Sequence, residues 1–325
     1  MRKHFIICII LIFASVLSAC SNDNENPDTP KIKIGIMLSE AGLGDQSFSD
    51  LGFTGLEKAR DELNISFDYR EIKDTKTYEE GLEQLVAEKN DLIIGLGFAI
   101  HDALEAVAKK YPNSTFLLID AKSELPNVIN VTFKEDEASY LIGAIAGMKT
   151  SSNVVGFVGG IDNPIIKKFE TGFIKGVKEV NPEAQVLSKY AGSFGDEKLG
   201  ESIANEMILS KVDFIYPAAG YTGVGAILES QRAGIYSFGV DSDQFYLAEK
   251  AVVSSMLKQV DVAIFNAVKE WAETGKISKK DYELGIKEAG VDIAPIRIIE
   301  LSSAEKNKLE KLKEDISNGS ITVNE

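Results

Sequence analysis

A regular alternation of short apolar runs with longer amphipathic segments most limits what this chain of 325 residues can fold into. The apolar runs are predicted strands, at 31–38, 65–71, 91–95, 115–120, 128–132, 153–158, 185–190, 214–217, 236–240 and 251–256. The segments between them are predicted helices, at 47–63, 78–89, 100–110, 135–149, 164–180, 197–210, 223–233 and 260–273. Strands that alternate with helices form βαβ units, so we expect an α/β fold with parallel sheets covered by helices on both faces.

The alternation also indicates two lobes. A second βα series starts after residue 149, and the pattern turns again near 241–243 and near Gly275. We therefore predict two Rossmann-like lobes joined by a hinge of three chain segments. The first lobe is expected to comprise 31–148 plus 243–272, and the second 149–242 plus 273–325. Because open α/β sheets bind ligands at the carboxyl ends of their strands, the expected site is the cleft between the lobes.

The N-terminal segment has the pattern of an exported, lipid-anchored protein. A basic start at residues 2–4 precedes an apolar stretch over 5–17, and the sequence LSAC ending at Cys20 resembles the lipobox of bacterial lipoproteins. That resemblance implies a signal peptide over 1–19, a diacylglycerol on Cys20 and anchoring at the extracytoplasmic face of the cell membrane. Residues 20–30 are polar and are predicted to be a flexible tether. The alternatives are a secretory signal with an incidental cysteine and a short membrane helix, although about 13 apolar residues are too few to span a bilayer.

The residue inventory argues against catalysis and against nucleic-acid binding. The formal net charge is −15, and so acidic a surface repels nucleic acid. Of two histidines one lies in the signal, which leaves His101, and the two cysteines are Cys8 and Cys20. The glycine-rich GLGFAI has Ile100 where a dinucleotide-binding loop has its third glycine. The sequence also lacks a metal-ligand cluster, so we expect no enzymatic activity, no cofactor and no nucleic-acid partner.

Motifs spread over residues 32–295 carry a family resemblance. They are GLGDQSFSDLGFTG, GLGF with AIHDALEAVAKKYPNSTFLLID, FKEDEASYLIGAIAG, GFVGGIDNPIIKKFETGFIKGV, YAGSF with FIYPAAGYTGVG, FGVDSDQ, SSMLKQVDVAI and YELGIKEAGVDIA. The ordered set resembles the basic membrane protein family of substrate-binding lipoproteins, which includes the purine nucleoside receptors of nucleoside ABC importers. The resemblance implies a type I periplasmic-binding-protein fold and a monomer that closes on a nucleoside and delivers it to ABC permease and ATPase subunits. The alternative is a sensing or regulatory lipoprotein of the same fold that is not coupled to transport, or one that binds a different small molecule.

The resemblance also implies which residues contact the nucleobase. In the loop after the first strand, Phe48 takes the place of the family's aromatic residue that stacks on the base. Tyr216 at a strand end, or else Phe169, is expected on the opposite face of the base. An ordinary core position is the alternative for all three aromatic residues. The other expected ligand-binding residues of the loop are Ser39, Asp45 and Ser47, the last of which is also placed to cap the following helix.

At the sugar end, Asp241 matches the family aspartate that accepts hydrogen bonds from ribose hydroxyls, and Lys258 matches the lysine beside it. An inter-lobe salt bridge at the hinge is the alternative role for this pair. Gly220 resembles the small residue that leaves room for the ligand beside a helix start. Asp120 ends a predicted strand, where it either lines the cleft or caps the next turn.

Two positions in the first loop depart from the family pattern. Ser39 stands where family members often have an aspartate, with Glu40 next to it, and Ser49 replaces the usual asparagine. A serine hydroxyl can take part in hydrogen bonds but carries no charge. The sequence therefore leaves open which nucleoside is bound and whether its base is a purine.

Overall fold

The computed structural model describes residues 32–324 and contains two six-stranded sheets with helices packed on them. The strands are β1 (Ile32–Met37), β2 (Ile65–Arg70), β3 (Leu92–Leu96), β4 (Phe116–Ile119), β5 (Val128–Phe133), β6 (Val154–Gly159), β7 (Gln185–Tyr190), β8 (Phe214–Ala218), β9 (Tyr236–Asp241), β10 (Val252–Lys258), β11 (Asp281–Leu284) and β12 (Val291–Ile293). The helices are α1 (Phe48–Leu63), α2 (Ile72–Thr75), α3 (Tyr78–Ala87), α4 (His101–Lys110), α5 (Glu135–Lys149), α6 (Pro164–Val180), α7 (Glu197–Leu209), α8 (Gly220–Ala233), α9 (Val260–Thr274) and α10 (Ser303–Ser317). All the predicted strands and helices form, with ends that shift by at most three residues.

The two sheets share one arrangement of strands. The order is β11-β5-β4-β3-β1-β2 in the first sheet and β12-β10-β9-β8-β6-β7 in the second. Each pairing is parallel except that of β10 with β12, which is antiparallel. Central strands such as β3, with the sequence LIIGL, are buried along their whole length because helices cover both faces of a parallel sheet. The predicted α/β fold with two Rossmann-like lobes is confirmed.

The chain passes between the sheets three times, but not at the predicted points. It crosses between β5 and α5, between β10 and α9, and between β11 and β12. The segment 243–272, predicted for the first lobe, therefore includes β10, a strand of the second sheet. The segment 273–325, predicted for the second lobe, includes β11, a strand of the first sheet. For these two strands the predicted lobe assignment is wrong.

The boundaries are misplaced because two helices pack on the lobe opposite to the strand they follow. The helix α5 follows β5 of the first sheet but packs against α6, whereas α9 follows β10 of the second sheet but packs against α1. Glycines permit this closeness: a Cβ at Gly143 would lie 2.1 Å from the carbonyl oxygen of Phe173, and one at Gly55 would lie 2.6 Å from that of Asp261. An apolar stripe shows that a helix is buried but does not show against which sheet. Below, the first and second lobes are the two sheets with the helices packed on them.

Candidate ligand-binding site

A cleft of about 340 Å³ lies between the lobes, at the carboxyl ends of strands from both sheets. Eight of the ten predicted ligand-binding residues line it, and the other two, Ser47 and Tyr216, do not. The eight are Ser39, Asp45, Phe48, Asp120, Phe169, Gly220, Asp241 and Lys258. The cleft therefore lies where the fold predicts a ligand, and its residues differ in what they contribute.

Asp45 organises the loop between β1 and α1. Its carboxylate accepts hydrogen bonds from the backbone N–H groups of Ser47 at 2.9 Å, Ser49 at 2.8 Å and Asp50 at 3.2 Å. Burial raises the pKa of Asp45 to about 6, against the lowering effect of these N–H donors. Asp45 thus holds the start of α1, whereas the side chain of Ser47 makes no capping hydrogen bond, so the predicted cap by Ser47 is wrong.

Phe48 is the first residue of α1, and its half-buried ring lines the cleft while also packing on the core. Gly97 follows β3 with a φ of +105°, which favours glycine, and a Cβ there would lie 3.3 Å from Phe48 Cε1. The loop backbone after β3 therefore approaches the ring closely. For Phe48, the core position and the predicted stacking position are compatible.

Lys258, the last residue of β10, is a cation at the base of the cleft with only 2% of its surface exposed. Its Nζ donates a hydrogen bond to Asp120 Oδ2 at 2.5 Å. It also lies 3.0 Å from Glu135 Oε1, as an ion pair that lacks the alignment of a hydrogen bond. The ring centroids of Phe133 and Phe169 lie 5.0 Å and 5.7 Å from Nζ, in the range of cation–π contacts.

Burial and charge oppose each other in this cluster. Burial lowers the pKa of Lys258, but Asp120, Glu135 and Asp241 outweigh burial and raise it above the ordinary value. Burial raises the pKa of Asp120 to about 6, with Lys258 opposing that rise and Glu135 adding to it. Burial also raises the pKa of Asp241. At pH 7 an ionised lysine therefore faces an ionised Asp120.

Asp120 and Asp241 occupy equivalent places at the carboxyl ends of β4 and β9. Both have left-handed backbones, with φ of +68° and +64°, a conformation that aspartate adopts more readily than most residues. Ser47 Oγ donates a short hydrogen bond to Asp241 Oδ2, which explains why Ser47 is close to the site without lining the cleft. Asp120 Oδ1 has no hydrogen-bond partner within residues 32–324. This oxygen is therefore a buried acceptor at the base of the cleft that the described chain leaves without a donor.

Tyr216 points away from the cleft. It is fully buried, with its ring against Phe157, Phe173 and Phe238, and its hydroxyl is hydrogen-bonded to Ser139 at 3.0 Å. Ser139 belongs to α5, so the side chain lies on the face of the second sheet that this helix covers. Tyr216 is therefore not available to a ligand, contrary to the prediction, and the core alternative applies.

Phe169 and Phe194 are the aromatic residues of the second lobe that line the cleft. Phe169 was predicted, whereas Phe194 was missed although it belongs to the motif YAGSF. Phe194 packs on Gly160, where a Cβ would lie 2.2 Å from its Cε1 atom. Gly220, at the start of α8, lines the cleft with a φ of +55°, and a Cβ there would lie 3.2 Å from the carbonyl oxygen of Phe194, so its role in leaving room for a ligand stays a prediction.

Ser39 and Ser49, the two residues that depart from the family pattern, are hydrogen-bonded to each other. The hydroxyl oxygens of Ser39 and Ser49 lie 2.7 Å apart, and Ser49 is fully buried. Beside them the cleft is lined by Glu40 and Tyr78, and burial, followed by the charge of Glu40, raises the pKa of Tyr78 to about 12. Sequence reasoning did not select Glu40 or Tyr78, although Glu40 adjoins a predicted site residue.

A second set of contacts joins the lobes at the rim of the cleft. The backbone carbonyl of Gln46 accepts hydrogen bonds from Gln244 Nε2 at 3.0 Å and from Ser242 Oγ at 3.2 Å. Its side-chain Oε1 accepts from the hydroxyl of Tyr246 at 2.7 Å. We call these four residues the rim contact. Together with the bonds of Asp120 and Asp241, the rim contact holds the loops of the two lobes against each other.

Comparison with known proteins identifies the family. A family model described as "ABC transporter substrate-binding protein PnrA-like" matches residues 32–325. The chain belongs to this family. A relative, the ABC transporter nucleoside-binding protein BmpA of Lactococcus lactis subsp. cremoris, is 30% identical, with 99% of each chain covered. Basic membrane protein D of Borreliella burgdorferi is 30% identical, covering 96% of this chain and 93% of its own.

Solved structures agree with the PnrA-like assignment. An ABC transporter solute-binding protein from Aeropyrum pernix K1 superposes with a TM-score of 0.83 at 26% identity, covering 90% of this chain and 92% of its own. The type I periplasmic-binding-protein fold and the class of ABC transporter substrate-binding proteins are therefore shown.

The N-terminal segment lies outside the described residues. The predicted signal peptide, Cys20 and tether all precede residue 32. A relative from Pyrococcus abyssi, 31% identical over 94% of this chain and 80% of its own, is named an uncharacterized lipoprotein. Within residues 32–324, no helix is both long enough and apolar enough to cross a membrane.

Proposed function

We propose that this chain is the extracytoplasmic nucleoside-binding component of an ABC importer, and that it encloses a nucleoside between its lobes. The observation that carries the proposal is a pair of strand-end aspartates, Asp120 and Asp241, at a cleft that aromatic rings from both lobes line. A nucleoside has the matching chemistry, because its base offers two apolar faces and its ribose offers vicinal hydroxyl donors.

The aromatic side chains suit the base. Phe48 comes from the first lobe, and Phe169 and Phe194 come from the second, so closure of the lobes places a flat ligand between rings. An aromatic pair contributes ~0.5–1.5 kcal/mol beyond the area that it buries. Most of the expected affinity therefore comes from burial of the base, with stacking fixing its orientation.

The charged residues suit the sugar. Asp120 Oδ1 and the carboxylate of Asp241 are hydrogen-bond acceptors, and Lys258 offsets part of their negative charge. A ligand that lacks a hydroxyl leaves a desolvated acceptor unpaired, so a site built in this way rejects it strongly. We therefore expect ribonucleosides to bind more tightly than deoxynucleosides or free bases.

The base itself is not fixed by these groups. Ser39 and Ser49 bond to each other and carry no charge, so Glu40 and Tyr78 are the nearby polar groups that a base edge would meet. The name of the Lactococcus relative likewise specifies a nucleoside without naming its base.

Anchoring and transport complete the proposal. A lipid on Cys20 would hold the chain at the extracytoplasmic face of the cell membrane, with residues 20–30 as the tether. Hinge closure around the ligand is a common way for two-lobed binding proteins to change shape, and the closed shape would be presented by the monomer to permease and ATPase subunits.

The test is a binding screen of the purified chain after bound ligand is removed. We expect nucleosides to raise the midpoint of thermal unfolding, because a ligand at 100 times its dissociation constant stabilises a protein by ~2.7 kcal/mol. Sugars, amino acids and free bases serve as the comparison. Absence of a shift with every nucleoside would refute the nucleoside assignment. Unchanged nucleoside uptake in a deletion strain without a redundant receptor would favour the sensing alternative instead.

A variant of Phe48 tests the placement of the base. We expect Phe48→Ala to raise the nucleoside dissociation constant more than tenfold, because the base loses both the area that the ring covers and the stacking contact. The matched control is Phe53→Ala on the same helix, whose ring packs against Phe67 and Tyr69 and does not line the cleft. Isothermal titration measures the nucleoside affinity of both variants. If Phe48→Ala and Phe53→Ala bind the nucleoside equally well, Phe48 has a purely structural role.

A further inference from the structure

Glu135 is a fully buried carboxylate that lies behind the cleft without lining it. It is the first residue of α5, directly after the segment in which the chain leaves β5 and crosses to the second lobe. A negative charge is favoured at a helix N-terminus. That preference explains why the charge is tolerated here, but it does not explain which partners the side chain selects.

The two oxygens of Glu135 contact two different lysines. Oε1 lies 3.0 Å from the Nζ of Lys258, and Oε2 lies 3.1 Å from the Nζ of Lys168 on α6. Lys168 also donates to the backbone carbonyl of Phe133 at 2.9 Å, and about a third of its side chain is exposed. Glu135 therefore connects the cation at the base of the cleft with a second cation outside it.

We propose that Glu135 is a positioning residue for the binding site: it holds Lys258 from behind and thereby keeps Asp120 and Asp241 free to accept hydrogen bonds from a ligand. The proposal rests on the proposed nucleoside function.

Charge balance is the physical reason. Lys258 faces the carboxylates of Asp120 and Asp241 on the cleft side and that of Glu135 on the far side. If Glu135 were neutral, the whole charge of the lysine would attract the two aspartates, and it would compete more strongly with a ligand for the carboxylate oxygens that Lys258 and Ser47 do not already bond. Because the carboxylate of Glu135 lies 3.0 Å from the lysine, the lysine is shared, and Asp120 Oδ1 keeps no hydrogen-bond partner within the described chain.

The same arrangement predicts a pH dependence of binding. The charged groups that face Asp120 are Lys258 on β10, Glu135 on α5 and Asp241 on β9. Burial raises the pKa of Asp120 to about 6, so we expect affinity to fall as pH falls through that value and the acceptor becomes protonated. Removal of the charge on Glu135 lowers the pKa of Asp120, which moves this loss of affinity to lower pH.

The experiment measures nucleoside affinity by isothermal titration between pH 5 and pH 8, a window that extends about one unit below and about two units above the wild-type step. We expect Glu135→Gln to bind roughly tenfold more weakly at pH 7 and to shift the acid loss of affinity downward by about half a unit or more. The matched control is Glu137→Gln, because Glu137 is on the same helix turn, accepts from the backbone N–H of Ile286 and pairs with Lys134. We expect the control to keep the wild-type pH profile.

A second variant keeps the inference testable if Glu135→Gln does not fold. Lys168→Gln removes the cation that partly neutralises Glu135, so we expect a smaller shift of the acid loss toward higher pH. Opposite shifts of the acid loss of affinity in the two variants would show that charge near Asp120 controls binding. A mere loss of stability would leave the pH profile of affinity unchanged in both variants. The inference is overturned if every variant of this pair that folds keeps the wild-type pH profile of affinity.

Failure of the proposed function gives a different result. If the wild type binds no nucleoside at any pH, the pH series is repeated on the midpoint of thermal unfolding of the unliganded chain. The raised pKa of Asp120 makes it contribute stability at low pH that is lost as pH rises through about 6. We expect that loss to lie at lower pH in Glu135→Gln than in wild type, and an identical position would overturn the role of Glu135 as well.

Discussion

Asp120 and Asp241 are the same residue type at the same place in two lobes, yet the opposite lobe holds them in different ways. Asp120 of the first lobe is bonded by Lys258, which ends β10 of the second. Asp241 of the second lobe is bonded by the hydroxyl of Ser47, which precedes α1 of the first. The exchange is reciprocal, because each lobe supplies one carboxylate and one donor.

The difference between the two pairs is charge. A buried carboxylate with a cation as partner depends on that cation at every pH at which it is ionised. A carboxylate with a hydroxyl as partner loses only one hydrogen bond when the partner is removed. The Lys258–Asp120 pair therefore stabilises the fold as well as forming part of the site. The Ser47–Asp241 pair mainly stabilises the closed arrangement of the lobes.

Replacing Lys258 with methionine is expected to have the largest effect. Methionine retains the apolar stem but leaves Asp120 and Glu135 without their cation. Removal of one partner of a buried ion pair costs about 3–5 kcal/mol, so we expect the free energy of unfolding at pH 7 to fall by that amount. Urea denaturation measures it.

The pH dependence of this loss of unfolding free energy tests whether the unpaired carboxylate causes it. The pKa of Asp120, already raised to about 6, rises further without the lysine, so the carboxylate that destabilises the variant at pH 7 is neutral in acid. The difference from wild type should therefore shrink as pH falls toward about 6 and change little below that value. Lys269→Met, whose half-exposed side chain pairs with Glu273 at 4.0 Å, should cost little at any pH. A Lys258→Met chain as stable as wild type at pH 7 would contradict the ionised pair.

The fold was predictable because its signals are local. Apolar runs and helical periodicity located β1 through β10 and the helices among them except the short α2, and the same patterns appear in the structure with small shifts at their ends. Which lobe a segment joins depends on long-range packing, such as that of α9 on α1, and no local pattern records it. For the same reason β10 and β11 were assigned to the wrong lobes.

The site was predictable where the backbone decides it. Asp120 and Asp241 end buried strands, and the carboxyl ends of parallel strands meet at the cleft. Tyr216 also lies near a strand end, but in a sheet buried on both faces an aromatic residue fits either side, so its direction toward Ser139 was not readable. Glu135 was missed because the sequence KEDE, taken alone, is typical of a solvated helix start.

The second expected effect concerns the Ser47–Asp241 pair, in which the hydrogen-bond donor is a neutral hydroxyl. Ser47→Ala removes the donor to Asp241, and since this hydroxyl lowers the pKa of Asp241, its loss raises that pKa. We expect a cost of about 1.5 kcal/mol in ribonucleoside binding, close to tenfold in the dissociation constant. The free energy of unfolding should change less than in Lys258→Met. Ser210→Ala, at the exposed end of α7, controls for loss of a hydroxyl. A loss of unfolding free energy as large as that of Lys258→Met would erase the difference between the two pairs.

The smallest expected effect concerns the rim contact, which joins the same two loops without charge. Tyr246→Phe removes the hydrogen bond to Gln46 Oε1, and because more than half of Tyr246 is exposed, water replaces part of what is lost. We expect a cost of about 0.5 kcal/mol, seen as a roughly twofold faster nucleoside dissociation in stopped-flow measurements, since closure acts mainly on the off-rate. Tyr69→Phe, on the edge strand β2, should leave the rate unchanged. If Tyr246→Phe also leaves it unchanged while Ser47→Ala accelerates dissociation, the bonds at Asp241 hold the lobes closed and the rim contact merely follows them.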